Sequence, residues 1–363
     1  MKIVAVRTHA LTLPLHTTFV TALRRTSATE TLVVQVVAED GTSGFGEAPQ
    51  VWQVTGDSVA GARACIEGPL AAQLVGRDVH DTVRLLRDVR AAVAGNTSAK
   101  AAVDVAVHDL LARQHDMPLV RWLGGTSMTV ETDVTLPVGS SDALVNAAVA
   151  RVADGFTVLK VKVGTDPRAD VQAVTAIRDA VGPLTKIRLD ANQGWTEREA
   201  IRTVRMLEDA QADVELIEQP VAAHDIDGLA RVTAHVDTPI MADEAVYGIA
   251  DLMEVIRRHA ADMVNVKLAK CGGLAVGRTL LELAAAAGLE TIVGSMMESP
   301  IGVGAAASLA AAYGTSATSD LDAAWWLERR SANGVTYEGC QVTLPNRPGL
   351  GIDSIDDLHG QQK

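Results

Sequence analysis

From residue 130 to about 321 the chain alternates between two patterns. Short apolar runs of strand length fall at 130–136, 157–163, 186–190, 214–218, 239–243, 263–267, 291–294 and about 316–321. Helix-like stretches separate them. Val171, Val174, Ile177 and Val181 recur at the steps of one helical face, and Leu280-Leu281-Glu282-Leu283-Ala284-Ala285 reads as another helix. Strand and helix repeating about every 25 residues predict eight parallel strands, each followed by a helix: a (β/α)8 barrel. The eighth unit has the weakest pattern. Residues 1 to about 50 read instead as strands, with Asp40-Gly41 as a hairpin turn between the runs 31–38 and 43–48. The spacing of Gly41, Gly44 and Gly46 is not a nucleotide fingerprint, because no helix follows directly. Residues 57–116 turn helical, with Val83, Leu86, Val89 and Val93, then Val103, Val107, Leu110 and Leu111, at helical spacing. The expected fold class is α/β: an N-terminal α+β capping domain (1–125), the barrel (126–335) and a C-terminal segment (336–363) returning to the capping domain. No low-complexity linker separates the domains, so they are expected to pack together.

Bulk properties narrow the function. The 363 residues suit a barrel of about 250 residues plus a smaller domain of about 100. Aromatic residues make up only 3% against 48% hydrophobic, so Val, Leu, Ile and Ala must build the core. A net charge of -13 argues against nucleic acid or an anionic membrane as partner. No apolar run reaches the roughly 18 residues a membrane span needs. The N-terminus lacks the apolar core and cleavage site of a signal peptide. Cys65, Cys271 and Cys340 are odd in number and far apart, which fits a reducing cytoplasm and neither a disulfide framework nor a zinc cluster.

Candidate chemistry sits at the strand ends. Asp190, Glu218 and Asp243 each close an apolar run, 28 and 25 residues apart, and the same rhythm places Lys162 before them and Lys267 after. In a parallel barrel these ends converge on one mouth. Singly, an acid after a strand is commonly a helix N-cap; matched phase with flanking lysines points to a metal site. Oxygen ligands on rigid strands suit Mg²⁺ or Mn²⁺, and no His or Cys cluster favours zinc. Lys160 and Lys162, two apart, point to one face, while Leu159, Val161 and Val163 take the other and must pack on helices. Positive charge from Lys160 and a metal would lower the pKa of Lys162. A change from about 10.4 to about 7.5 corresponds to about 4 kcal/mol and makes a usable base. Strands two and six lie across the barrel, so Lys162 and Lys267 should face opposite sides of a substrate. The metal would hold a substrate carboxylate and stabilise the enediolate left when an α-proton departs. A base on each face permits racemisation or epimerisation.

The pieces Lys160-Val161-Lys162, Asp190-Ala191-Asn192, Glu218-Gln219-Pro220, Ala242-Asp243-Glu244 and 267–273 (Lys-Leu-Ala-Lys-Cys-Gly-Gly) resemble the enolase superfamily, muconate-lactonising subgroup, over nearly the whole chain. The resemblance implies Mg²⁺, one per subunit with Mn²⁺ as an alternative occupant, and the lysine bases general to that superfamily. It leaves the reaction open among muconate cycloisomerases, o-succinylbenzoate synthases, N-acyl amino acid racemases and dipeptide epimerases. Asp320-Leu321-Asp322 discriminates. Its two acids point one way, resemble the dipeptide-epimerase signature that binds a substrate α-ammonium, and would be a liability toward substrates lacking that cation. In a purely structural role, the same residues would merely cap a helix near Ala323. Arg24, in 21–24 (Thr-Ala-Leu-Arg), resembles the capping-loop arginine of Ala-Glu epimerases. Thr135 and Ser295 match substrate-contact positions, and Glu298 is inward-facing by family pattern without an assigned role. The implied reading is an isomerase inverting the Cα of a dipeptide's C-terminal residue. L-Ala-D/L-Glu, a peptidoglycan breakdown product, is the leading candidate, handled in the cytoplasm. Alternatives are an N-acyl racemase, o-succinylbenzoate synthase or muconate cycloisomerase on the same site, or a non-catalytic descendant. A homo-oligomer stays open, and loops 17–25 and about 50–56 are expected to set side-chain specificity.

Overall fold

A computed structural model describes residues 1–20, 25–136, 138–329, 331 and 333–359. The N-terminal sheet is antiparallel in the order β1 (Ile3–Val20), β2 (Arg25–Ala38), β3 (Ser43–Pro49). Asp40 shapes the β2–β3 turn by accepting hydrogen bonds from the Thr42 amide and hydroxyl, both at 3.0 Å. Helices over 59–122 cover this sheet. The central one, Thr97–Gln114, presses so closely on β3 that a Cβ on Gly46 would lie 1.8 Å from the Ala102 carbonyl oxygen, and one on Gly44 2.1 Å from that of Ala106. The glycine spacing in this segment thus serves close sheet–helix packing.

Seven parallel strands come next: β5 (Val134–Leu136), β6 (Val158–Lys162), β7 (Lys186–Asp190), β8 (Val214–Glu218), β9 (Ile240–Ala242), β10 (Met263–Lys267) and β11 (Glu290–Gly294). Each pairs with its sequence neighbour. The eighth position holds only paired bridges, Ser319 to Thr132 and Asp320 to Gly294. Ser295 N donates to Asp320 O at 2.9 Å and Asp133 N to Ser319 O at 2.9 Å, which joins the two edges and closes the (β/α)8 barrel. The run expected as one strand over 130–136 is split. β4 (Thr129–Glu131) leaves the barrel to pair with a C-terminal hairpin, β12 (Thr336–Glu338) and β13 (Gln341–Thr343), and only β5 continues in the barrel. The break falls where Thr132 N is taken by Cys340 O at 2.8 Å and Asp133 N by Ser319 O.

Helix ends obey local rules. Asp166 caps Pro167–Val181, with Pro at the first turn and Gly182 at the end; Thr196 and Glu199 form a reciprocal box at the start of Glu197–Asp209. Leu159, Val161 and Val163 are buried in the layer between strands and helices, whereas Leu216, Met241, Met263 and Ile292 form a small apolar plug inside the barrel. Above the plug the interior is charged. Parallel register sets Lys162 beside Asp190 and Asp190 beside Glu218, while Glu218 pairs with Met241, which puts Asp243 one inward step higher. Buried Asp109 accepts from Phe45 N at 2.8 Å and, farther along the chain, from Leu350 N at 2.6 Å.

Candidate active site

One cavity at the carboxyl ends of the strands gathers Thr135, Lys160, Lys162, Asp243, Lys267, Ser295, Asp320 and Asp322. The empty space, counted out through its open mouth, is about 650 Å³. Asp190 and Glu218 are fully buried just behind the lysines. Arg24 lies outside the described residues. Phe19, Val51, Val54, Met296 and Met297 supply an apolar wall opposite the charged floor, so the 50–56 loop and the segment after β11 do border the cavity.

Lys160, 2% exposed, is the hub. Its Nζ lies 2.6 Å from Glu218 Oε2, 2.8 Å from Asp320 Oδ2 and 3.1 Å from Asp190 Oδ2. Burial opposes its charge, but Asp320, Glu218 and Asp190 together hold it well above the usual lysine range. Lys162 Nζ contacts Asp190 Oδ2 at 2.5 Å. Across the barrel, Lys267 Nζ donates to Asp243 Oδ2 at 2.8 Å. Burial disfavours that ammonium too, yet Asp243 beside it raises its pKa well above normal. β6 and β10 stand four places apart in the eight-position barrel, so the two lysines enter from opposite sides.

Asn192, Gln219, Glu244 and Lys270 belong to the sequence motifs but carry no role from sequence alone, and Asn265 has no sequence signal of its own. Gln219 Oε1 accepts from Asp243 N at 2.9 Å and Ala245 N at 3.0 Å, which shapes the turn carrying Asp243. Lys270 Nζ reaches Asp243 Oδ1 at 2.5 Å, and Asn265 Nδ2 donates to Glu218 Oε1 at 3.0 Å. Glu244 borders the cavity, and burial followed by the charge of Asp243 pushes it up to about 7. Glu218 likewise rises to about 7 through burial and then Asp190.

Among the described residues, no three His, Cys, Asp or Glu side chains gather closely enough to cage a metal unaided. Ammonium groups bridge the three strand-end acids. The donor set nonetheless suits a hard cation. Among the described residues, the six acids Asp190, Glu218, Asp243, Glu244, Asp320 and Asp322 meet four lysines, Lys160, Lys162, Lys267 and Lys270, a formal surplus of two negative charges. Among the described residues, the buried oxygens Asn192 Oδ1, Glu244 Oε2 and Asn265 Oδ1 have no hydrogen-bond partner. A hydrated divalent cation would meet both deficits.

At the far wall, Asp322 Oδ2 accepts from Thr135 N and from Trp326 Nε1, both at 2.8 Å. Burial, then the charge of Asp320, pushes Asp322 up to about 6. Asp320 moves the other way: burial would raise it, but Lys160 holds it below its ordinary value. Ser295 borders the pocket through its backbone bond to Asp320 O. Glu298, beyond it, is raised to about 8 by burial and then by the neighbouring Glu47.

Fold and site together define a capped barrel enzyme of the enolase type. The chain belongs to the mandelate racemase/muconate lactonizing enzyme family: residues 2–124 match that family's N-terminal domain and 143–358 the enolase C-terminal domain-like model. It is 40% identical to the L-Ala-D/L-Glu epimerase of Bacillus subtilis strain 168 over 100% of both chains. The substrate-liganded structure of that epimerase superposes with a TM-score of 0.95 at 39% identity, covering 97% of this chain and 99% of the other. The dipeptide epimerase of Enterococcus faecalis V583, solved with Mg and L-Leu-L-Tyr, gives 0.93 at 37% identity, with coverage of 97% and 99%. An N-succinyl-L-Arg/Lys racemase of Bacillus cereus is 30% identical over 98% of this chain and 96% of its own.

Proposed function

We propose that the protein is a Mg²⁺-dependent dipeptide epimerase that inverts the Cα of the C-terminal residue, with L-Ala-D/L-Glu as its leading substrate. One observation carries the reading: Lys162 and Lys267, on strands across the barrel, border one cavity that also holds the Asp320/Asp322 pair. The family membership and the two epimerase relatives support it.

Asp190, Glu218 and Asp243 would hold the metal. When bound, Mg²⁺ supplies positive charge for the substrate carboxylate and for the charge that accumulates as the α-proton leaves. Asp322, with Asp320, receives the α-ammonium of the dipeptide, and Thr135 and Ser295 border the bound chain. The apolar wall of Phe19, Val54 and Met297 excludes water from the reacting face. Asp190 and Asp243, the carboxylate partners of Lys162 and Lys267, would be taken up by the metal. The lysine so released and neutral on one side accepts the α-proton onto Nζ, leaving the bonding pair on the substrate. The ammonium of the other lysine then delivers a proton to the opposite face, and the Cα configuration inverts. Which lysine accepts depends on the epimer bound. Lys160, locked to three carboxylates, fixes the floor of the site.

The finer assignments belong to the same reading: one Mg²⁺ per subunit with Mn²⁺ as substitute, a cytoplasmic site of action and a role in peptidoglycan recycling. The three cysteines are unpaired, which agrees with a reducing compartment. Among the described residues no helix is long and apolar enough to cross a membrane. The test is incubation of a dipeptide library in D₂O with Mg²⁺ and mass detection. Uptake of one deuterium at the C-terminal residue is expected, with L-Ala-L-Glu and L-Ala-D-Glu among the best substrates. Deuteration of N-acyl amino acids in place of dipeptides would overturn the reading.

A further inference from the structure

Lys267 ends β10, and the segment after it is held from the other domain. One helical turn, Leu268–Cys271, leads to Gly272 and Gly273 at φ of 88° and 119°, then to the helix Leu274–Ala286. The first amides of that helix need an acceptor. A Ser, Thr or Asp at the cap would supply one locally, but the cap position is Gly273. The acceptor comes instead from Asp104, 2% exposed, in the middle of the N-terminal domain's helix Thr97–Gln114. Its Oδ1 accepts from Leu274 N at 2.7 Å and from Ala275 N at 3.3 Å. A Cβ on Gly273 would meet the Asp104 side chain at 2.4 Å. Glycine at 273 therefore both tolerates the left-handed backbone and admits the carboxylate. On the inner side the same segment is pinned by Lys270, whose Nζ contacts Asp243 Oδ1 at 2.5 Å and Asn265 O at 3.2 Å.

The opposite base is built differently. The helix after Lys162, Pro167–Val181, is capped by its own Asp166, which accepts from Arg168 N at 2.9 Å and Ala169 N at 3.3 Å. Among the described residues, no side chain of the N-terminal domain caps that helix start. The two lysines thus differ in what fixes the chain behind them: a local cap for Lys162, a cross-domain cap for Lys267.

We infer that Asp104 is a positioning residue for Lys267, holding the start of the next helix against the N-terminal domain and so setting how far the β10 end presents that lysine to the substrate. The inference rests on the two-lysine reading proposed above. It predicts a defect on one face of the substrate only, which a general loss of stability would not produce.

The experiment measures α-proton exchange in D₂O for L-Ala-L-Glu and L-Ala-D-Glu separately, or for the best epimer pair from the library, with Mg²⁺-loaded full-length enzyme. Lys162→Ala and Lys267→Ala first assign each epimer to its base. Asp104→Ala is then expected to slow exchange on the Lys267 face at least about tenfold while the Lys162 face stays within about twofold, since sub-ångström misplacement of a base is costly. Asp104→Asn keeps the Oδ1 acceptor and should restore the rate. If Asp104→Ala does not fold, Asp104→Ser, which retains a polar atom too short to reach Leu274 N, carries the same expectation. Equal losses on both faces, or no loss on either, would overturn the inference alone. Absence of exchange by the wild-type protein with every dipeptide would overturn the two-lysine reading and the inference with it.

Discussion

Trp326 donates its indole N–H to Asp322 Oδ2 across 2.8 Å, within one short helical turn. The ring is itself fixed, stacked on His16 at 5.1 Å and meeting Phe19 edge-on at 5.8 Å. Asp322 is therefore held in place through an aromatic cluster, of which Phe19 borders the cavity.

The first expectation concerns pH. Asp322 must be ionised to attract an ammonium group, and burial with the Asp320 charge raises it to about 6. As pH falls through 6 the carboxylate takes up a proton and the attraction is lost. A plot of log kcat/KM for a dipeptide should bend downward below about pH 6. Asp322→Asn should lower kcat/KM by about 10²-fold or more at neutral pH, chiefly through KM, and flatten the acid limb. An acid limb that persists unchanged in the variant would reject this role.

The same residue should limit stability. A carboxyl whose folded pKa lies above its unfolded value binds protons more tightly when folded, so stability declines as pH rises from about 4 to about 6. Above that window the full cost is present, on the order of 2–3 kcal/mol for a shift of about two units. Asparagine keeps an acceptor for Thr135 N and Trp326 without the charge. Urea unfolding at pH 7.5 should therefore show Asp322→Asn to be more stable than wild type, with the gain gone near pH 4.

Replacing the bases one at a time tests the two-sided geometry. Lys267→Ala should abolish epimerisation, because no donor remains on that face, with a loss of at least about 10³-fold. One epimer should still exchange its α-proton through Lys162. Lys162→Ala should show the mirror pattern with the other epimer. Survival of both activities in Lys267→Ala would sink the model.

Much of this site is legible in the sequence, and the part that is not has a common cause. Strand-end acids and the Lys160/Lys162 spacing are local patterns, so periodicity exposes them. The partnership of Lys160 with Asp320 is not local. The sequence gives no sign that the two meet, and only closure of the barrel at Ser319 and Asp320 brings them to 2.8 Å. The change of sheet at Thr132 is hidden for the same reason, since its acceptor is the carbonyl of Cys340. Helix-start signals are likewise sought in adjacent residues. Asp104 and Glu47 escape that search because they cap helices about 170 and 250 residues away. Arg24 is the one expected contact that falls outside the described residues.

Metal binding should be visible without turnover. The surplus of negative charge and the partnerless oxygens around Asp243 make the protein alone a strained arrangement of like charges, which a divalent cation relieves. Mg²⁺ at about 100 times its Kd should raise unfolding free energy by about 2.7 kcal/mol. Calorimetry with and without EDTA reads this as a rise in Tm. Asp190→Asn should remove most of the rise. A Tm indifferent to Mg²⁺ in the wild-type protein would refute the site.

Glu47 offers the last test, and it separates support of the pocket from chemistry in it. This β3 side chain is 5% exposed and accepts from Ser299 N at 2.9 Å, Ser299 Oγ at 2.5 Å and Gly302 N at 2.9 Å, at the start of the helix Pro300–Tyr313. The segment just before that helix lines the cavity through Ser295, Met296 and Met297. Glu47→Ala leaves those donors buried and unmet, at a cost of about 2–4 kcal/mol. It also removes the charge that, after burial, raises Glu298, so Glu298 should ionise at lower pH. Glu47→Gln keeps one acceptor oxygen and should lose roughly half as much stability. Because neither residue is hydrogen-bonded or ion-paired to Lys162 or Lys267 among the described residues, KM should rise in Glu47→Gln while the two α-proton exchange rates at saturation stay balanced. A Glu47→Ala protein with the wild-type urea midpoint would show that the helix start finds its acceptor elsewhere.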